Sequence, residues 1–440
     1  VAGISEKNLR RRSGWPAGID NQHQPHELTI NDNGNAQAAL LQAENVDLAT
    51  GAGKPHRRKG YTLQHAGTRM HSLWKAPSMS FALFVENGTL RALDPDGSVF
   101  DVQAGLEPRK RVSYEIIGDR IFWSNGVRKG AVLVDGTPAP WGCPNPAGQP
   151  QLVAADGSLA QGTYQVAITY TLATGEESGT GLAATIDLPN GGGITLAKIP
   201  QPASTDVTGV RVYLSPADGE TLKRSIDVPV GLQTAYIGGG RHGRPLDTQF
   251  LEPMPPGRYI CLHTGRLFVL QADGTLVWSE PLRYGLHHPR DSRLRLSGSG
   301  DLLASVGQGT AGAGLFVASG NRTYFLSGDP SQFSPRIVYP YGAVPGTLAR
   351  MPGSVFGMQD AEEVAYWMAS NGIGVIGVPG GGVLPLREKQ TVAPTATTGA
   401  SMFRQHDGLH QVVTTLAGGG QARGLAIQDV AKVTVIRHDQ

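Results

Sequence analysis

Apolar and polar residues alternate along most of this chain, in short runs of four to six broken by turn residues. Ser80–Val85 is followed by Glu86-Asn87-Gly88 and then Thr89–Leu93. Asn-Gly between two apolar runs predicts a tight hairpin, because both central residues tolerate positive φ. Asp94-Pro95-Asp96-Gly97 leads into a third strand, Ser98–Val102. Val112–Ile117 turns at Gly118-Asp119 into Arg120–Ser124, and Asn125-Gly126 leads to Gly130–Val134. The same pattern returns at Arg258–Leu262, Arg266–Leu270 and Thr275–Ser279. Further copies are expected around 301–347, 353–390 and 401–437. Repeats of about 40–50 residues, each a small antiparallel sheet, predict the blades of a β-propeller, about six of them. A pair of β-sandwiches is the rival.

Residues 145–255 read differently. Gly162–Thr171 alternates cleanly over ten residues, and Val210–Ser215 and Thr234–Ile237 are further strands. Short alternating strands over about 100 residues predict an immunoglobulin- or fibronectin-like sandwich. Proline-rich joints flank it, Trp141-Gly142-Cys143-Pro144-Asn145-Pro146 before and Glu252-Pro253-Met254-Pro255-Pro256-Gly257 after. The predicted organisation is therefore an arm and first blades over 1–144, an inserted sandwich over 145–255, and the remaining blades over 256–440. The ends of such an insert should lie close together, with Cys143 and Cys261 near in space.

Composition agrees with an all-β chain. Its 440 residues contain 60 Gly and 30 Pro, too many for long helices, while 40% hydrophobic residues exclude a disordered chain. Two cysteines exclude a disulfide scaffold. There is no apolar run of membrane-spanning length, and the first residues lack the apolar core of a signal peptide, so a soluble, intracellular product is expected. The net charge of +2 is no global nucleic-acid footprint. Any such contact must be local, at Arg10-Arg11-Arg12, at Lys54, Arg57, Arg58 and Lys59, or at Arg109-Lys110-Arg111. These are candidate partner or channel contacts; the ordinary alternative is a solvated face. The second cluster follows a strand at Asn45–Leu48 and a Gly-rich loop, and the next strand is expected at Tyr61–Gln64.

Motifs for chemistry fail on spacing. Gly307-Gln308-Gly309-Thr310-Ala311-Gly312 matches a dinucleotide fingerprint, but a strand-like run follows where a helix is needed. Gly53-Lys54 is followed by Pro55, not by Ser or Thr, so no phosphate-binding loop is read. His23, His26 and the pair His287-His288 lack a third ligand at metal-site spacing and are expected to be exposed loop residues. No catalytic, cofactor or metal residue is assigned. Asp119, Asp273 and Glu280 are carboxylates that a glycan-cleaving propeller would need to converge, and Trp123, Trp278 and Trp367 are candidate sugar-stacking platforms, although they fall on strands, where core packing is commoner.

Several short motifs, in order, resemble the tail hub proteins of short-tailed bacteriophages, also called nozzle or packaged-DNA stabilisation proteins. They are Gly14–Asn21, Asn45–Leu48 with Arg57–Tyr61, His71-Ser72-Leu73-Trp74, Trp141-Gly142-Cys143-Pro144, Gly162-Thr163-Tyr164, Gly175-Glu176-Glu177-Ser178-Gly179, Trp278-Ser279-Glu280-Pro281 and Val344-Pro345-Gly346-Thr347. The resemblance implies a propeller-based virion protein made in the host cytoplasm. It implies a homo-oligomer, a six-fold ring below portal and adaptor, that continues and closes the channel for double-stranded DNA and carries a fibre or spike. The competing class is a carbohydrate-binding or glycan-cleaving propeller acting as a receptor-binding protein.

Overall fold

The computed structural model describes residues 65–240, 243–358, 363–386, 391–406, 409–418 and 432–437. Ahead of these it describes 20–22, 29–32, 35–38, 40, 46–47, 56–57 and 63. The chain forms two compact units. One comprises 67–297 with 329–333; the other comprises 1–66, 298–328 and 334–440. Both are all-β and are built largely from four-stranded antiparallel meanders, the sheet type of propeller blades.

In the first unit, Met70–Trp74, Ala82–Glu86, Thr89–Leu93 and Val99–Gln103 form one meander. Its central turn is the predicted Asn-Gly hairpin: Asn87 and Gly88 have φ of 49° and 81°, and Glu86 pairs with Thr89. A second meander is Ser113–Ile117, Arg120–Ser124, Lys129–Leu133 and Pro138–Ala139. A third is Tyr259–His263, Arg266–Leu270, Thr275–Trp278 and Arg293–Arg295.

Alternation along the strands decides how these sheets stack. Ile121 and Trp123 share a core with Leu83, Val85, Leu90 and Ala92 of the 70–103 sheet. The intervening Phe122 faces the other way and packs with Ile260, Leu267 and Val269 of the 259–295 sheet. The 113–139 sheet is thus covered on both faces. Its second cover comes from residues more than a hundred positions further on.

The intervening segment forms two sheets of its own. Gln151–Leu159, Gly192–Ala197 and Thr234–Ile237 make one, and Ala184–Leu188, Gly162–Leu172, Val207–Leu214 and Lys223–Pro229 the other. Val166, Ile168, Tyr170, Val210 and Val212 of the second sheet bury against Ile194 and Leu196 of the first. Cys143 packs into this core, while Cys261 is buried on the 259–263 strand; neither forms a disulfide.

The second unit repeats the stacking logic. Its sheets are Gly300–Val306, Gly314–Ser319, Arg322–Leu326 and Arg336–Tyr339; then Ala349–Met351, Val364–Met368, Gly374–Val378 and Gly382–Pro385; then Thr398–His406, Leu409–Ala417 and Lys432–Arg437. Trp367 packs on Phe316 and Phe325 of the first sheet, and neighbouring Tyr366 packs with Val412 of the third. The glycine-rich stretch 307–312 is a hairpin loop between two strands, with Gly307 and Gly309 at φ of 62° and 81°. Two further hairpins lie near the N-terminus, Thr29–Asp32 with Asn35–Ala38 and Val46–Asp47 with His56–Arg57. Asn21 ties its segment to residue 392, donating from Nδ2 to the Val392 carbonyl at 2.8 Å and accepting the Val392 N–H at 3.0 Å.

Candidate functional site

The basic clusters singled out in the sequence are not gathered by the described residues. Arg10, Arg11, Arg12, Lys54, Arg58 and Lys59 lie outside them. Arg57 lies in the return strand of a hairpin, pairing with Val46. That corrects one expectation: the chain turns back at His56–Arg57, within the basic run, whereas Leu63 in the expected Tyr61–Gln64 strand has no regular structure. Closing the ladder there uses backbone groups, which a hydrophobicity pattern does not see. Arg109, Lys110 and Arg111 are exposed on the loop between the 70–103 and 113–139 sheets.

The candidate chemistry of a glycan-cleaving propeller fares as follows. Trp123, Trp278 and Trp367 are buried at 3%, 4% and 0% exposure, so none presents a stacking face. Asp273 caps its own hairpin, accepting the Thr275 N–H at 2.9 Å and pairing with Arg295. His287 is also a correction. It is buried on the short strand Leu286–His287, with Nδ1 3.0 Å from the Glu252 carbonyl oxygen, because that strand pairs with Glu252–Pro253. Burial lowers its pKa. No group of three or more His, Cys, Asp or Glu side chains suited to a metal occurs among the described residues.

The structure offers instead a charged cleft of about 390 Å³ at the root of the sandwich, within the first unit. Its walls are the 175–177 turn, strand residues Arg211, Tyr213 and Arg224, the 244–248 segment, the Gly142-Cys143 joint and the 282–286 loop. Two adjacent carboxylates divide the work of fixing it. Glu176 accepts from Arg120 Nη1 at 3.0 Å and so reaches the 113–139 sheet. Glu177 stays with the sandwich, accepting from Arg211 at 2.8 Å, from the Tyr213 hydroxyl at 2.6 Å and from Thr169 Oγ1. Ser178 Oγ accepts the Tyr170 N–H, and Gly179 lies so close to the Leu251 carbonyl that a Cβ has no room.

The opposite wall is equally tight. Trp141 Nε1 donates to the Tyr284 carbonyl at 2.8 Å. Gly142 and Gly285 touch backbone to backbone: a Cβ on Gly285 would meet Gly142 Cα at 2.6 Å. Lys129 donates to the Trp141 carbonyl at 3.0 Å and lies over its ring, 5.2 Å from the centroid. Burial drops the Lys129 pKa to about 8, partly offset by the charge of Glu176. Asn145 Nδ2 donates to the Leu251 carbonyl at 2.8 Å, joining the two ends of the sandwich segment.

Ionisable groups of the cleft are shifted by burial and by one another. Burial works to raise the Asp247 pKa, but the Arg283 hydrogen bond and the Arg283 and Arg244 charges outweigh it and hold it low. The Cys143 thiol is pushed up to about 12 by burial, with Glu176 and Glu177 adding to the effect, which leaves it a poor nucleophile. Burial and the hydrogen bond to Glu177 raise Tyr213 as well. A general acid–base pair needs one carboxyl kept protonated beside one free to ionise. Here each lining carboxylate accepts from an arginine and Glu177 also from hydroxyls, while the second oxygen of Glu176 is buried without a hydrogen-bond partner.

No family model matches the chain, and no curated protein does. Among solved structures it is similar to the β-propeller domain of Myceliophteria thermophila Cps50 (Swd1), with 10% identity, 85% of this chain and 98% of that one covered, and a TM-score of 0.32. It is also similar to the Neurospora crassa Pan2 WD40 domain, at 8% identity, 78% and 85% coverage and a TM-score of 0.32. BamB from Moraxella catarrhalis follows at 12% identity, 82% and 83% coverage and a TM-score of 0.28. The propeller-like description of this chain rests on its own strand order and sheet stacking.

Sequence reading missed the cleft. Its residues come from six separate stretches, and only the Gly142-Cys143 joint and the Gly175–Glu177 turn stand out in the sequence.

Proposed function

We propose that the chain is a structural virion protein, one subunit of a ring of the tail hub or nozzle kind. The ring extends the DNA exit channel below portal and adaptor, closes it, and anchors a distal fibre or spike. Its two three-sheet stacks are the blades of one propeller of about six, and 145–255 is an immunoglobulin- or fibronectin-type sandwich grafted between two of them.

One observation carries this reading. Three motifs that bear the resemblance, far apart in sequence, meet around one joint. Trp141-Gly142-Cys143-Pro144 supplies its tight backbone contact, Gly175–Gly179 its clamp, and Trp278-Ser279-Glu280-Pro281 the start of the loop that receives Trp141. Motif residues spent on bracing a projecting domain suit a load-carrying subunit.

Native mass measurement of the purified assembly tests the proposal. A closed ring is expected, of six copies by the resemblance. A monomer that hydrolyses a glycan overturns it.

A further inference from the structure

The cleft at the sandwich root holds more hydrogen-bond donors than its own carboxylates use. Four guanidiniums line it, Arg211, Arg224, Arg244 and Arg283, against three carboxylates, Glu176, Glu177 and Asp247; Arg224 is spent on Asp227, which is not part of the lining. Glu176 is moreover engaged from outside by Arg120. Each guanidinium carries five N–H donors. Arg211 spends Nη1 on Glu177, and Arg244 spends Nη2 on the Asp247 oxygen that Arg283 also uses. Most of the Arg244 side chain, 77%, is exposed, so its remaining donors are free to turn inward.

A second observation is independent of the arginines. Thr248 lines the same cleft, is only 2% exposed, and its hydroxyl has no hydrogen-bond partner. A buried hydroxyl left unmatched costs stability unless something fills the place. Leu282 closes the rim: it is 75% exposed and held at a φ of 58°, a backbone state rarely adopted by bulky residues. Strain of this kind persists where the surrounding structure imposes it, and it collects at ligand sites.

We infer that this cleft is a binding site for a compact oxyanion-bearing ligand, a carboxylate or phosphate held by Arg244 and Arg211 with the Thr248 hydroxyl, its apolar body against Leu282. Guanidinium matches both oxyanions in bidentate geometry. The volume suits a small molecule rather than a polymer. The site is proposed as one of recognition; Glu176 also lines it, with one carboxylate oxygen on Arg120 and the other buried without a hydrogen-bond partner. The inference stands apart from the ring reading, since a monomer would keep the cleft.

Citrate and inorganic phosphate, titrated into the full-length protein at constant ionic strength, test it by calorimetry and by thermal unfolding. One or both should bind at one site per chain and raise Tm, while sodium chloride at matched ionic strength should not. Binding of citrate alone marks a carboxylate as the natural group; binding of phosphate alone marks a phosphate ester. Arg244→Gln leaves Arg283 on Asp247 and should fold normally, yet weaken binding roughly fivefold to tenfold. Thr248→Val removes a hydroxyl that bonds to nothing in the protein. It should leave the unliganded protein as stable as before or more so, and still weaken binding by a similar factor. The inference is overturned if neither probe binds beyond the chloride control, or if both variants bind as the parent does.

Discussion

Lys129 shows how one residue at the joint ties charge to stability. Its ammonium is held by the Trp141 carbonyl and ring, yet burial brings its pKa down to about 8. The unfolded chain would titrate near the ordinary lysine value of about 10.4. Between those two values the unfolded state binds more protons than the folded one, so the group's contribution to stability rises with pH across that window. Below pH 8 both states are charged and the burial penalty is fully present. Lys129→Met should abolish this rise. The difference in unfolding free energy between parent and variant, measured from pH 7.5 to 10.5, should grow in favour of the parent. The span should reach roughly 3 kcal/mol at most, at 1.36 kcal/mol per pKa unit. A difference that stays flat with pH removes the argument. Other lysines, tyrosines and the cysteines titrate alike in both proteins and cancel.

At the scale of elements, local pairing was readable and long-range pairing was not. Asn87-Gly88 announces its turn because only a few residue types accept two successive positive φ values. The glycine-rich 307–312 loop was separable from a nucleotide loop because Leu315-Phe316-Val317 continues as a strand. The return at His56–Arg57 was not legible, since a two-residue ladder needs no apolar periodicity. Nor was the cleft: charged residues on neighbouring strands carry no signal of which partner they will meet. Trp123, Trp278 and Trp367 are buried, as the commoner fate of an aromatic on a strand, core packing, leads one to expect. The sandwich lends itself to a test at this scale. Its core is its own, and its ends are bridged by the Asn145–Leu251 hydrogen bond. Replacing residues 146–250 with a short Gly-Ser bridge should leave the flanking sheets folded, because Phe122, Ile260 and Leu267 pack without it. Some stability will be lost with the Arg120–Glu176 pair. Loss of all cooperative unfolding in the deletion variant would mean that sandwich and sheets share one folding unit.

For the whole molecule the question is what could close the proposed ring. Sheets already covered on both faces, like those carrying Phe122 and Tyr366, gain nothing from a partner at those faces. Any ring must therefore be closed by surface loops and terminal segments, through one contact repeated by rotation. The basic clusters fit that role better than a role in holding DNA. A duplex that has to pass must not stick, and affinity for phosphate backbones grows with each neutralising cation. At +2 per chain a ring carries little excess charge. On the proposed reading, Arg109, Lys110 and Arg111, exposed on one loop, and also Arg57 and Arg58, would meet carboxylates of a neighbouring subunit. Substituting Arg57 and Arg58 together with Ala should shift the assembly toward smaller species in native mass measurement, or cause virions to lose their genomes. Affinity of the isolated protein for free duplex DNA should be weak and should change little. Tight duplex binding by the parent at physiological salt, abolished by the double substitution, would make these arginines a DNA site and refute the assembly role. Virions that lack the protein yet retain their genomes and infect normally would refute the hub itself.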